Sequence, residues 1–150
     1  MKSAGYRFAV MHRLNMALHA EGIEEIGIRP SQIPFLAVLM KCGHALTQEE
    51  LSEVLVLDKA AVARGVLRLE KDGYLFRESN PDDRRQKLVS LTAKGLGIRQ
   101  NLLGVLQNST NTLTEGFSQE ELEQFLSLMD KAIANGRSHK YGRCVNGCDI

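Results

Sequence analysis

Phe8, Met11, Leu14 and Leu18 recur three or four residues apart, with Val10 and Ala17 widening the stripe. That is the period of one helix face, so the spacing predicts a first helix over about 6–20. Gly22 and Gly27 read as points where the chain loosens. After Arg29-Pro30-Ser31, the face Ile33, Leu36, Ala37 and Met40 predicts a second helix over 32–41, with Pro34 in its first turn, where a missing N–H costs little. Thr47-Gln48-Glu49-Glu50 has capping-box spacing, in which hydroxyl and carboxylate satisfy each other's backbone N–H groups, and predicts a short helix to about Val56. Asp58 is the next N-cap. It opens a helix over 59–72 that turns Val62, Val66, Leu67 and Leu69 inward, with Lys59, Arg64, Arg68 and Lys71 elsewhere, and Gly73 ends it.

The period then changes. Segments 74–78 and 86–91 show partial alternation, and Ser79-Asn80-Pro81-Asp82-Asp83 between them is turn chemistry, which predicts a β-hairpin with Arg84 and Arg85 at or near its tip. Thr92 starts a long helix carrying Leu96, Leu102, Leu103, Leu106 and Leu113, broken by Gly116. Ser118-Gln119-Glu120-Glu121 is a second capping box, followed by Leu122, Phe125, Leu126, Met129 and Ile133 in a helical stripe that ends near Gly136. Two short helices joined by a tight turn, the second basic and followed by a basic hairpin, form the pattern of a winged helix-turn-helix. The fold class is therefore mostly α with a small β-hairpin wing.

Composition agrees with this reading. A chain of 150 residues, 43% hydrophobic, buries one core, and 5% aromatics without tryptophan suits helices built on Leu, Ile, Val, Met and Ala. The net charge of +1 hides an asymmetry. Between Leu57 and Gln100 there are 10 Lys and Arg against 6 Asp and Glu, or +4, which leaves 9 against 12, or −3, elsewhere. A basic middle in an otherwise neutral chain suits a polyanion, although an ordinary solvated face has the same composition. Three cysteines do not make a disulfide-framed secreted domain, no signal-like run opens the chain, and no 18 consecutive apolar residues occur, so a soluble cytoplasmic protein with no membrane contact is expected.

The predicted basic helix offers Lys59, Ala60, Ala61, Ala63 and Arg64 near its N-terminus, where side chains meet base edges in a major groove. Arg64 is the first choice for a base contact, because its fork matches guanine. The alanines make apolar contacts, for example with a thymine methyl, or simply favour the helix. Arg68 suits a phosphate, or a pair with Asp72. On the hairpin, Asp83 and Arg85 project to the same side of an extended segment, so the carboxylate can hold the guanidinium, and Arg84 and Lys87 add charge. Cys42 beside His44 reads as a buried structural cysteine rather than a metal site. Cys144 and Cys148 read as an incidental pair in a loose tail, or as a redox or metal switch. No nucleophile-base set, phosphate loop or metal-binding helix motif is present, so neither an enzyme nor a cofactor or metal is expected.

Thr47-Gln-Glu-Glu-Leu51, the run from Val62 to Tyr74 and above all the run from Asn80 to Gly95 resemble the MarR family of multiple-antibiotic-resistance regulators, over roughly 11–134. The resemblance implies a homodimer with interlocking N- and C-terminal helices, a winged helix-turn-helix in each subunit, and a pseudo-palindromic double-stranded DNA operator. It also implies that Asp83 and Arg85 match the family's wing pair. The chain departs from the family at Ala60, Ala61 and Ala63, where Ser or Thr is common. In domain terms, 1–30 becomes the N-terminal dimerisation helix and linker, 31–95 the DNA-binding lobe, 96–136 the connecting and C-terminal dimerisation helices, and 137–150 a flexible tail. Relatives bind small anionic aromatic effectors between arm and lobe, which makes His12, Arg13 and His19 the candidate ligand contacts. The function expected is a ligand-responsive repressor. The alternative is a dimeric interaction module of the same fold that antagonises another regulator without binding DNA.

Overall fold

Local caps fix where the helices begin. Thr47 Oγ1 accepts the Glu50 N–H at 3.1 Å while the Glu50 carboxylate accepts the Thr47 N–H at 2.7 Å. Asp58 accepts the Ala61 N–H at 2.7 Å, Thr92 the Gly95 N–H at 3.1 Å, and Ser118 and Glu121 form the second capping box. Each cap satisfies N–H groups that a helix terminus otherwise leaves open. The computed structural model describes residues 3–142. In order these form α1 (Ala4–Ile26), a 3-10 turn (Pro30–Gln32), α2 (Ile33–Cys42), β1 (Leu46–Thr47), α3 (Gln48–Leu55), α4 (Lys59–Lys71), β2 (Leu75–Ser79), β3 (Lys87–Leu91), α5 (Ala93–Gly97), α6 (Arg99–Leu113) and α7 (Gln119–Tyr141).

The winged helix-turn-helix expected from the sequence is present, and the sheet has one strand more than the hairpin. β1 pairs antiparallel with β3, Leu46 opposite Val89, and β3 pairs antiparallel with β2, Leu75 opposite Leu91, so the order is β1-β3-β2. Two residues are too short a run for alternation to reveal, which is why β1 has no signature of its own. The sheet and α2 to α4 enclose Leu36, Leu51, Val62, Val66, Leu69 and Val89, all fully buried, and Leu102 joins them from α6. Leu67 is exposed rather than inward: it follows Val66 by one residue, about 100° around the helix axis.

Three boundaries differ from the sequence expectation. α1 passes through Gly22 and ends at Gly27, whose φ of 79° terminates the helix. Gly22 is a contact point, since a Cβ there would stand 2.4 Å from Val105 of α6. The expected single helix after Thr92 is split at Ile98 into α5 and α6. α7 runs through Gly136 to Tyr141, so the start of the segment expected to be a loose tail is helix.

Candidate nucleic-acid interface

α4 buries Val62, Val66 and Leu69 against the lobe and turns Lys59, Ala60, Ala63, Arg64, Leu67, Arg68 and Lys71 to solvent. Ala61 is half-buried and sits further toward the core than the other two alanines. Among the described residues the guanidinium groups of Arg64 and Arg68 make no hydrogen bond or ion pair. Asp72, the partner considered for Arg68, instead receives the Gln32 side-chain amide at 2.8 Å. Lys59 does have a partner, Glu49 of α3 at 3.1 Å, but both side chains are exposed and such a pair contributes only about 0–1 kcal/mol. What faces outward is a low ridge of alanine and leucine flanked by two uncommitted arginines.

Contacts that the sequence did not reveal hold this face against the wing. Arg77 of β2 grips Glu70 of α4, Nη2 to Oε2 at 2.6 Å and Nε to both carboxylate oxygens at 3.1 and 3.2 Å. Both side chains are 31% exposed. These hydrogen bonds hold the Glu70 carboxyl below its ordinary value and the Arg77 guanidinium above its own. At the end of α4, Lys94 donates to the Asp72 carbonyl at 2.7 Å and lies over the Tyr74 ring, while the Thr92 hydroxyl donates to the Gly73 carbonyl at 2.6 Å. The wing and α4 are therefore fixed to one another at several points.

The hairpin tip corrects the expected Asp83–Arg85 side-chain pair. The Asp83 carboxylate accepts the Arg85 backbone N–H at 3.0 Å, and the Asp83 carbonyl accepts the Gln86 N–H at 2.9 Å. The segment is a turn rather than an extended strand, so residues two apart do not share a side, and a short carboxylate reaches the nearby amide instead. Asn80 does the same for the Asp82 N–H at 3.0 Å. Arg84 and Arg85 stay exposed with free guanidinium groups among the described residues, and Lys87 reaches across the strands to Ser79 Oγ at 3.0 Å.

The residues considered for ligand contact are dispersed. His12 lines a cavity of about 350 Å³ between α1, α6 and α7, together with Phe8, Met11, Leu113, Phe125 and Met129. Arg13 is exposed. His19 is buried in α1, its Nε2 2.9 Å from the Ser109 hydroxyl, which itself donates to the Leu106 carbonyl. With that one hydroxyl proton in use, Nε2 is the donor to Ser109 and Nδ1 carries a lone pair, buried without a partner among the described residues. The cavity where arm meets lobe, about 350 Å³, is lined instead by Ala37, Val38, Met40 and Lys41 of α2 and Arg99, Leu103 and Leu106 of α6.

Burial lowers the affinity of His19 for a proton below that of an ordinary histidine, whose pKa is 6.5. The native state then resists a proton that the unfolded chain accepts. The stabilisation is complete above about 6.5 and is lost as pH falls below it. Chemical denaturation between pH 7.5 and 5.5 should show a shallower loss of stability for His19→Gln than for the parent. Equal slopes would assign the pH dependence to other groups.

Cys42, expected as a buried structural cysteine, is half-buried and is disulfide-bonded. Cys144 and Cys148 lie outside the described residues. His44 Nδ1 is 2.9 Å from the Cys42 carbonyl, and no group of three or more metal-ligating side chains occurs among the described residues. No described helix is long and apolar enough to cross a membrane. Another contact invisible to sequence reasoning lies at the turn into α4: Arg137 of α7 donates to the Val54 carbonyl at 2.6 Å, and the Tyr141 hydroxyl to the Ser52 carbonyl at 3.4 Å.

Known proteins resemble the chain over most of its length. A family model described as MarR family matches residues 26–86. The HTH-type transcriptional regulator YcgE of Bacillus subtilis, itself described as uncharacterized, is 33% identical over 132 residues, covering 87% of this chain and 84% of that protein. Among solved structures, a MarR transcriptional regulator from Methanosarcina mazei superposes with a TM-score of 0.81 at 28% identity, covering 88% of this chain and 94% of its own. A cysteine-to-serine variant of Escherichia coli MarR, solved in complex with operator DNA, gives 0.75 at 27% identity, covering 85% of this chain and 91% of its own.

Proposed function

The chain belongs to the MarR family of DNA-binding transcriptional regulators, and from that premise we propose that it is a ligand-responsive repressor acting as a homodimer on a pseudo-palindromic operator. The observation that carries the reading is the outer face of α4, where Arg64 and Arg68 stand uncommitted beside two small alanines, with Arg84 and Arg85 on the adjoining hairpin tip. Small side chains let the helix lie deep in a major groove, and the arginines then meet bases and phosphates. The E. coli relative solved with operator DNA supports the same use of the fold.

A second copy is proposed because the arm is incomplete alone. α7 has 23 residues and none is buried in the single chain. Its Leu126, Leu128, Met129 and Ile133 are exposed, as are Tyr6, Phe8, Met11, Leu14 and Leu18 of α1. An apolar face of this extent is covered in a stable soluble assembly. For the effector, the cavity between α2 and α6 combines an apolar floor with the cations of Lys41 and Arg99, chemistry that suits a small aromatic anion.

The reading is tested by binding purified, reduced protein to its own upstream intergenic duplex and to a scrambled one, at two salt concentrations, with and without salicylate. Selective binding that the ligand weakens is the expected result. Equal, salt-labile binding to both duplexes would favour the interaction-module alternative. On the selective duplex, Arg85→Ala should weaken binding across sequences and flatten the salt dependence. Arg64→Ala should in addition relax preference at one base pair by about 1–3 kcal/mol. Identical losses on specific and random DNA for both variants would overturn that division of labour.

A further inference from the structure

α4 carries one side chain that packing does not account for. Leu67 is 57% exposed, more than any other large hydrophobic residue between Ile33 and Gly97, while the helix already buries Val62, Val66 and Leu69. A single exposed leucine is ordinary on a protein surface, and this one is set apart by its neighbours. Ala60, Ala63 and Leu67 follow one another at helical spacing along the outer face, and Arg64, Arg68 and Lys71 form the adjoining row, all of them exposed. Among the described residues, neither arginine of that row makes a hydrogen bond or ion pair.

The cationic row decides what can cover the apolar one. An apolar protein surface laid over Leu67 buries Arg64 and Arg68 with it, unpaired, which is costly. A DNA major groove accommodates both rows: phosphates and base acceptors take the cations, and the apolar row faces the base edges. Those edges carry one apolar group, the thymine C5-methyl, and otherwise hydrogen-bond donors and acceptors. A leucine neither donates nor accepts, so a polar edge pressed against it loses water without replacement, whereas a methyl group is covered at a gain. Residues 60, 63, 64 and 67 also have the i, i+3, i+4, i+7 spacing at which a helix lying in the groove presents side chains to the bases.

On the operator-binding reading given above, we propose that Leu67 is a specificity-determining residue: its side chain covers a thymine C5-methyl in each half-site and selects T·A over the other pairs at that position. Ala60 and Ala63, with no side chain beyond Cβ, let the helix sit low enough for the leucine to reach. Leu67 differs from the arginines beside it in one measurable respect. An uncharged side chain displaces no counterions, so it sets base preference without adding to the salt dependence of binding.

The test selects duplexes from a randomised library with the full-length parent and with Leu67→Ala, then measures affinity for the parent's selected duplex at several salt concentrations. The parent should select a motif with a thymine in each half-site at a position where Leu67→Ala has no preference. Replacing that thymine in one half-site by deoxyuridine, which removes only the methyl group, should weaken the parent about 4-fold, the factor expected for one buried methyl. The same replacement should leave Leu67→Ala unchanged, which isolates the pairwise contact. Leu67→Gln keeps the length without the apolar surface and should be equally indifferent to the methyl. The salt slope should be the same for all three proteins. A motif that Leu67→Ala selects unchanged overturns the role of Leu67, and a looser dimer in that variant would then place a second copy over the leucine. A deoxyuridine effect equal in parent and variant, or a weakening by Leu67→Ala that is the same on every duplex, overturns it as well. A parent that selects no motif at all overturns the operator-binding reading itself, and the leucine's role falls with it.

Discussion

Gly95→Ala is expected to destabilise the protein by about 2–3 kcal/mol, although alanine is the better helix former. Gly95 is buried in α5, and a Cβ there would stand 2.3 Å from the Tyr74 carbonyl oxygen and 3.1 Å from Leu91. The obstructing atom is backbone and already engaged, since that carbonyl accepts the Thr92 N–H at 3.0 Å. Relieving the clash means moving α5 away from the start of β2, which strains the Thr92 cap and the hydrogen bond from Thr92 to Gly73 at the root of the wing. Gly97→Ala is the matched control. It lies in the same short helix, and nothing stands within 4 Å of the Cβ position. It should be neutral or stabilise by about 0.4–1 kcal/mol. Denaturant midpoints for the two variants, read at one protein concentration, separate close packing from helix propensity. Similar midpoints would show that the wing root yields without cost.

How much of this fold was legible in the sequence depended on how locally each feature is determined. The starts of α3, α4, α5 and α7 follow from a hydroxyl or carboxylate and an amide three residues on, so Thr47, Asp58, Thr92 and Ser118 announced them. The helix interruptions were harder to place. Gly22 looks like a breaker in isolation, yet its role is set by Val105, and only the packed structure brings the two together. Gly95 is similar, since the Tyr74 carbonyl that requires it belongs to another element. Glycine in a helix carries two opposite meanings, loosening and close approach, and composition alone does not separate them.

The site divides in the same way. Helical periodicity was enough to put Ala60, Ala63, Arg64 and Arg68 on one exposed face, and turn chemistry was enough to put Arg84 and Arg85 at the hairpin tip. The brace between Glu70 and Arg77 escaped because it joins two elements whose relative placement no local rule fixes. Asp83 bonds a backbone amide rather than the Arg85 side chain for a geometric reason: an extended segment puts residues two apart on one side, while the turn at 83–86 offers the carboxylate a backbone amide first. Arg137 lies in a stretch whose composition resembles a tail, and its target is a main-chain carbonyl, which has no sequence signature at all.

Leu102→Ala should cost about 2–5 kcal/mol, the range for removing a fully buried leucine whose surroundings collapse only in part. Leu102 has no exposed surface and is the one hydrophobic residue that α6 buries completely. It joins the core built by α2, α3, α4 and the sheet at the point where α6 leaves the lobe for the arm. The cavity therefore opens at the junction through which any change of lobe position must pass. The urea midpoint should fall without a change in slope, which would mark a loss of stability rather than a change in the surface exposed on unfolding. Leu102→Met, which conserves volume, should cost less than about 1.5 kcal/mol. Leu67→Ala, on the exposed face of α4, should stay within about 0.5 kcal/mol. All four proteins are compared at one concentration, because the proposed dimerisation would make the apparent stability depend on it. If Leu102→Ala unfolded no earlier than Leu67→Ala, α6 would be anchored to the lobe by its neighbours alone.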